Sequence, residues 1–186
     1  SNKSFHQPLV SVIMNCYNSE KYLQEAIDSV YAQTYNNWEI IFWDNASTDN
    51  SAEISQSYDA KVKYFRGAKT IPLGKARNKA LEQCNGKYIA FLDCDDLWVP
   101  EKLETQVQLL EDDLTIGLIY TNVKIIFASS RNEKRIEDNK EISTVISFRT
   151  LFEDYDITMS SSMIPSSVLF SLDEIFDNTL KHCEEY

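Results

Sequence analysis

The chain has 186 residues, of which 43% are hydrophobic and 25% are charged, and its formal net charge is −11. This length and composition are typical of a single soluble globular domain with a full core. The acidic balance argues against general nucleic-acid binding, which depends on Lys and Arg side chains that contact phosphates. We find no signal peptide and no apolar stretch close to the roughly 20 residues needed to span a bilayer.

Cysteine and histidine residues show no spacing typical of metal ligands. The four cysteines form no C-x-x-C pair, and the two histidines, His6 and His182, are far apart in sequence. We therefore expect free thiols in a reducing compartment, no zinc site, and no role for either histidine.

Short apolar runs alternate with segments of helical periodicity along the chain. The apolar runs predict strands over 9–14, 39–43, 62–65 and 88–92. Helices are predicted to begin near Ser19 as an N-cap, within 44–49, at Gly74 and at Pro100. We also predict a strand over 116–127, a solvated polar loop over 128–143, and short strand or helix pieces over 144–152 and 161–170.

The alternation of strands and helices predicts an α/β fold, Rossmann-like, with a mostly parallel sheet and helices on both faces. We expect one structural domain with two parts. Residues 1–127 form the α/β region, and residues 128–186 form a smaller, irregular region.

Polar motifs directly follow three of the predicted strands. They are Asn15–Asn18, Asp44–Asp49 and Asp93–Asp96. Because ligands bind at the carboxyl ends of the strands in such sheets, we expect all three motifs at one rim.

The acidic motif after the fourth predicted strand contains Asp93, Asp95 and Asp96. In a packed core these carboxylates would lose hydration and repel one another. A divalent cation that bridges a diphosphate prefers such oxygen ligands. The alternative interpretation is a solvated acidic turn that caps the next helix.

Four ordered motifs resemble those of family 2 glycosyltransferases, which have the GT-A fold. Residues 8–18 resemble the opening strand and nucleotide loop, 44–51 the D-D/N-x-S-x-D-x-S signature, 74–78 the G-x-x-x-A-R-N segment and 91–96 the DxD metal motif. Residues 176–177 and 183–186 resemble the later F-D-E … E-D region. The resemblance implies inverting sugar transfer from a nucleotide diphospho-sugar, with UDP favoured, to a glycan or lipid-linked acceptor.

The resemblance also implies contacts to the nucleoside. Asp44 would accept a hydrogen bond from the imide N–H of the base, and Tyr17 would stack on the base. Asn15 or Asn18 would add polar contacts. Helix capping by Asp44 and simple packing by Tyr17 are the alternatives.

Further side chains would contact the diphosphate and the cation. Arg77 would pair with the diphosphate near a helix N-terminus, assisted by Lys75, with a surface salt bridge as the alternative. Asp93 would reach the ribose hydroxyls or bind the metal through water. Asp95 and Asp96 would hold Mn²⁺ or Mg²⁺, which neutralises charge on the leaving diphosphate.

Inversion requires a general base that deprotonates the acceptor hydroxyl. Glu185 aligns with the acid that has this role, although the family more often has Asp there, and Glu184 is the second candidate. We expect a cytoplasmic protein that is part of a longer chain and binds nucleotide better than it turns over. Membrane association at the inner face, through a further C-terminal portion, stays open.

Two other functions are compatible with parts of the pattern. One is a non-catalytic nucleotide-binding domain of the same fold. The other is a nucleotidyltransferase, but the loop at 15–19 lacks the glycines and basic residues that a triphosphate needs. A phosphoryl-receiver domain would lack the segment 74–78.

Overall fold

The computed structural model describes residues 7–124, 158–173 and 175–178. The strands are β1 (Val10–Cys16), β2 (Trp38–Asp44), β3 (Val62–Arg66), β4 (Tyr88–Phe91) and β5 (Met163–Pro165). The helices are α1 (Glu20–Tyr31), α2 (Ser51–Gln56), α3 (Leu73–Leu81), α4 (Lys102–Asp112) and α5 (Ser166–Leu169), and a 3-10 turn spans Met159–Ser161.

The strands form one mixed sheet in the order β3-β2-β1-β4-β5. Strands β1 to β4 are parallel to one another, and β5 pairs antiparallel with β4. This mostly parallel sheet confirms the predicted α/β class. Strand β5 and helix α5 fall within 161–170, where short strand or helix pieces are predicted, whereas the 3-10 turn begins before that range.

Both faces of the sheet are buried because side chains of a strand alternate between the faces. In β1, Val12 and Met14 join the core on one face, whereas Ile13 joins the core on the other. The apolar stripes of α1 and α4 cover the first face. Residues of α3 and α5 cover the second. Continuous apolar strands are expected for such a two-sided sheet.

A buried polar network lies near the amino ends of strands β1, β2 and β3. Glu39 is only 5% exposed, and its carboxylate accepts hydrogen bonds from Ser11 Oγ at 2.6 Å and Lys63 Nζ at 2.5 Å. A Cβ atom on Gly86 would lie 2.5 Å from Ser11 N, so only glycine fits there. Burial opposes ionisation of Glu39, but the hydrogen bonds outweigh it and lower the pKa of this carboxyl.

The predicted strand over 116–127 is wrong for its described part. Residues 116–124 contain a single antiparallel bridge, between Ile119 and Met163. Ile116 and Ile119 pack against the core, which explains the apolar pattern, but residues 121–124 are exposed. A strand needs a partner along its length, and Met163 provides one at a single position.

Ser19 is the N-cap residue of α1, as predicted, but its side chain makes no capping hydrogen bond. Ser19 precedes α1, but its hydroxyl donates to Tyr17 O at 3.4 Å and does not cap the helix. Asp49 performs this function from another loop, since its Oδ2 accepts from Glu20 N at 3.0 Å. The other carboxylate oxygen accepts from Ser51 N at 3.0 Å, so one side chain caps both α1 and α2.

Two further expectations concern thiols and membranes. Cys16, Cys84 and Cys94 are free thiols, as predicted, whereas Cys183 lies outside the described residues. None of the helices in the described ranges combines the length and apolarity required to cross a membrane. The predicted loop at 128–143 and the segment 144–152 lie outside the described residues.

Candidate active site

The carboxyl ends of three parallel strands bring the polar motifs to one edge of the sheet. Cys16 at the end of β1 is in register with Asp44 at the end of β2. On the other side of β1, Ile13 is in register with Phe91, the last residue of β4. The acidic loop, which we define as Asp93–Asp96, therefore lies beside the end of β1.

Two carboxylates of the acidic loop are exposed, and a third is partly buried. Asp95 and Asp96 are exposed, and the side chain of Asp93 is 48% exposed. Burial raises the pKa of Asp93, the neighbouring charges of Asp96 and Asp95 raise it further, and Arg77 opposes the rise. The three carboxylates thus act on one another electrostatically.

Arg77, on α3, is the cation that lies beside the acidic loop. Its Nη2 is 3.6 Å from Asp93 Oδ1, and its side chain is only 13% exposed. The guanidinium also lies 5.5 Å from the ring centroid of Phe176, which contacts Phe91 edge-on. These contacts hold the guanidinium beside the acidic loop. Lys75, two residues earlier on the same helix, is exposed.

The close approach of α3 to the segment 175–178 explains the glycine of the G-x-x-x-A-R-N motif. A Cβ atom on Gly74 would lie 2.4 Å from Asp177 O. Nearby, Asn78 Nδ2 donates to Phe176 O at 2.7 Å. The glycine and the asparagine of the motif therefore dock Phe176, and Phe176 in turn packs against Arg77.

A divalent cation would find hard oxygen ligands on the acidic loop, but no complete cage. No group of three or more His, Cys, Asp or Glu side chains within 7–124, 158–173 and 175–178 is arranged to hold a metal ion. The exposed carboxylates of Asp95 and Asp96 fit the alternative, in which one or two carboxylates and the phosphates of a substrate share the cation. The donor set therefore suits Mn²⁺ or Mg²⁺ bound together with a diphosphate.

The loop after β1 holds the other predicted nucleotide contacts. Tyr17 is 53% exposed, so its ring is available for stacking. Asn18 has a positive φ of 52°, and its Oδ1 accepts from Thr48 N at 2.8 Å, which fixes the loop against the segment 44–49. Asn15 Nδ2 is buried and has no hydrogen-bond partner among the described residues. It is therefore a donor that a ligand acceptor would satisfy.

Asp44 is fully buried and already engaged by three donors. Its Oδ1 accepts from Ser47 N at 2.7 Å, and its Oδ2 accepts from Tyr64 Oη at 2.6 Å and from Arg66 Nη1. Burial opposes ionisation, but these hydrogen bonds and the charge of Arg66 lower the pKa of Asp44. Because Asp44 is fully buried, it could receive the imide N–H of a base only after groups that cover it move aside.

The sequence interpretation missed two contributors to this edge. Arg66 ends β3 and also donates to Ser47 O at 2.8 Å. Ser160 accepts a hydrogen bond from Asp93 N at 3.1 Å. A basic residue at the end of a strand beside an acidic motif is a usable signal for Arg66, whereas nothing near Ser160 in sequence points to Asp93. Glu184 and Glu185 lie outside the described residues.

Comparison with known proteins points to the same family that the sequence motifs resemble. The family model described as "Glycosyl transferase family 2" matches residues 11–174. An Escherichia coli protein named UDP-Glc:alpha-D-GlcNAc-diphosphoundecaprenol beta-1,3-glucosyltransferase is 39% identical over 119 residues, which are 63% of this chain and 47% of that protein.

Two solved structures are also similar. Staphylococcus aureus TarS 1-349 in complex with UDP-GlcNAc has a TM-score of 0.75 at 26% identity, over 95% of this chain and 50% of that one. The mannosyltransferase PcManGT from Pyrobaculum calidifontis, in complex with GDP-Man and Mn²⁺, has a TM-score of 0.59 at 26% identity, over 65% and 37% of the two chains. The likeness to TarS confirms the predicted GT-A fold. Among curated relatives that align over nearly all of this chain, the chain spans 57 to 63% of three and 26% of a fourth.

Proposed function

Because the chain belongs to glycosyltransferase family 2, we propose that it binds a nucleotide diphospho-sugar and supports transfer of the sugar, with inversion, to a glycan or lipid-linked acceptor. The observation that carries this proposal is the exposed acidic loop beside Arg77 at the carboxyl edge of the sheet. UDP is favoured by the named activity of the E. coli relative and by the UDP-GlcNAc complex of TarS. A lipid-linked acceptor is supported by the same relative.

In this proposal Arg77 donates hydrogen bonds to the diphosphate, and Lys75 adds a mobile charge near it. Asp95 and Asp96 hold Mn²⁺ or Mg²⁺, which, when bound, neutralises charge on the leaving diphosphate. The Mn²⁺ in the PcManGT complex supports the choice of cation. The present contact with Asp93 keeps the guanidinium in place before the ligand arrives.

The nucleoside part of the ligand lies along the ends of β1 and β2 in this proposal. Tyr17 stacks on the base, Asn15 and Asn18 offer polar contacts, and Asp44 receives the imide N–H after the groups that cover it move aside. Asp93 binds the ribose hydroxyls. Glu185, with Glu184 as the second candidate, deprotonates the acceptor hydroxyl.

Thermal unfolding with UDP, with and without Mn²⁺, tests the proposal. A ligand at about 100 times its Kd stabilises the native state by about 2.7 kcal/mol, so the melting temperature should rise when both are present. The double variant Asp95→Asn/Asp96→Asn should lose this rise. Asp112→Asn, which changes an exposed carboxylate on α4, is the matched control and should keep it.

Either of two results would contradict the proposal. One is a wild-type melting temperature that UDP and Mn²⁺ together leave unchanged. The other is an equal rise in the wild type and the double variant, which would show that the cation binds away from the acidic loop.

A further inference from the structure

Ser160 contacts the first residue of the acidic loop and a tryptophan two residues beyond its end. Asp93 N, at the start of the loop, donates to Ser160 Oγ at 3.1 Å. Trp98 Nε1, two residues after Asp96, donates to Ser160 O at 2.8 Å. The exposed carboxylates of Asp95 and Asp96 thus lie between two points that Ser160 holds together.

The position of Ser160 is set by elements outside the loop. Ser160 is 7% exposed and belongs to the 3-10 turn that leads into β5. Gln106 of α4 donates through Nε2 to Ser161 O at 2.9 Å, and Met163 of β5 is in register with Ala90 of β4. The helix and the sheet therefore fix Ser160, and Ser160 fixes the loop.

We propose that Ser160 is a positioning residue that orients the acidic loop for joint binding of the divalent cation and the nucleotide diphosphate. The proposal rests on the function proposed above. Two exposed carboxylates on an untethered loop would sample many orientations, and ordering them would reduce the affinity for the cation. By fixing the backbone at Asp93 and the indole of Trp98, Ser160 removes part of this ordering cost before the ligand binds.

Ser162 offers a matched control for the hydroxyl of Ser160. It is 1% exposed, and its Oγ donates to Met159 O at 2.8 Å, within the same short segment. Ser162→Ala therefore deletes a buried hydroxyl nearby without deleting a contact to the acidic loop. Ser160→Thr keeps the hydroxyl and serves as the conservative variant.

The first experiment measures the Kd of UDP in the presence and absence of Mn²⁺ by calorimetry. Ser160→Ala should raise the Kd of UDP with Mn²⁺ about tenfold, which is the size expected when a group that supports metal ligands is lost. The Kd without Mn²⁺ should change much less. Ser160→Thr should restore most of the affinity, and Ser162→Ala should match the wild type. Equal effects of Ser160→Ala and Ser162→Ala would overturn the proposal.

The second experiment needs no ligand and so separates this inference from the proposed function. Hydrogen exchange of the Asp93 amide, which donates to the Ser160 hydroxyl, should be faster in Ser160→Ala than in the wild type, and unchanged in Ser162→Ala. Unchanged exchange in Ser160→Ala would refute the positioning role. A wild type that fails to bind UDP with Mn²⁺, while Ser160→Ala still accelerates exchange, would refute the proposed function but support the fixing of the loop by Ser160.

Discussion

Lys102 is a buried lysine on the first turn of α4, with an exposure of 5%. Its Nζ donates to Gln106 Oε1 at 2.7 Å and lies 4.2 Å from the ring centroid of Trp98. Burial lowers the pKa of Lys102 to about 7, because the charged form loses hydration that a neutral amide and a ring only partly replace. This lysine therefore costs stability whenever it is charged.

The lowered pKa of Lys102 predicts a pH dependence of stability. Between about 7 and 10.5 the unfolded chain binds a proton at this lysine that the native protein does not bind. The free energy of unfolding should therefore rise with pH in this window. Lys102→Met should raise the melting temperature at pH 7 and reduce its increase toward higher pH.

Thermal unfolding across this pH range checks the prediction. Lys79→Met, which removes a lysine paired with Glu82 on the surface of α3, is the control and should keep the slope of the wild type. A Lys102→Met variant with the slope of the wild type would contradict the prediction.

At the scale of elements, one carboxylate joins the starts of α1 and α2. Asp49 accepts from Glu20 N and Ser51 N, and Glu20 in turn accepts from Asn50 N at 2.9 Å. The signature segment 44–51 therefore has a structural function in addition to its proposed contact with the base. It fixes the loop after β1, which carries Tyr17.

Asp49→Ala should lower the free energy of unfolding by about 1 to 2 kcal/mol, the upper part of the range for loss of an N-cap, because two helices lose a hydrogen-bond acceptor. Urea unfolding monitored by circular dichroism measures the change. Glu53→Ala, at an exposed position on α2, is the control and should cost much less. Similar losses in both variants would show that Asp49 does not act as a shared cap.

The elements that the sequence predicted well are those with a strong local pattern. Strands β1 to β4 and the starts of the four longer helices follow from apolar runs and 3.6 periodicity, and they agree with the structure to within one or two residues. Ser19 is the N-cap residue, as predicted, but the carboxylate that accepts from the first amide of α1 belongs to Asp49, thirty residues away in sequence, and could not be predicted. The predicted strand over 116–127 is wrong for its described part, 116–124, because apolar residues that pack on a core do not by themselves provide a partner strand.

The site could be predicted to a similar extent. The three strand-end motifs at one edge follow from the topology of parallel sheets, and the structure brings Asn15, Asp44 and Asp93 to that edge. The engagement of Asp44 by Arg66 and the contact of Ser160 with Asp93 were not predictable, because each joins segments whose distance depends on the final packing.

At the scale of the whole molecule, the segment 158–173 adds the last strand to the sheet and reaches the candidate site. Met163 is fully buried, pairs with Ala90 and bridges to Ile119 through two backbone hydrogen bonds. It thus connects the core, the loop after α4 and the turn that contains Ser160. Loss of its side chain should affect both stability and the site.

Met163→Ala should lower the free energy of unfolding by about 2 to 5 kcal/mol, as expected for a large buried side chain truncated in a packed core. It should also weaken binding of UDP with Mn²⁺ under conditions where the variant is still folded. Leu172→Ala, at a position that is 53% exposed, is the control. A folded Met163→Ala variant with wild-type affinity for UDP and Mn²⁺ would show that the packing of β5 does not affect the site.

The basic side chains of β3, which pair with buried carboxylates, also bear on self-association. Among the described strands, β3 lies at one end of the sheet and pairs only with β2. Lys63 and Arg66 reach back from this open edge to Glu39 and Asp44. Charged side chains on an edge strand discourage intermolecular strand addition, a route to aggregation. The same cations that neutralise two buried carboxylates therefore also help to keep separate molecules apart.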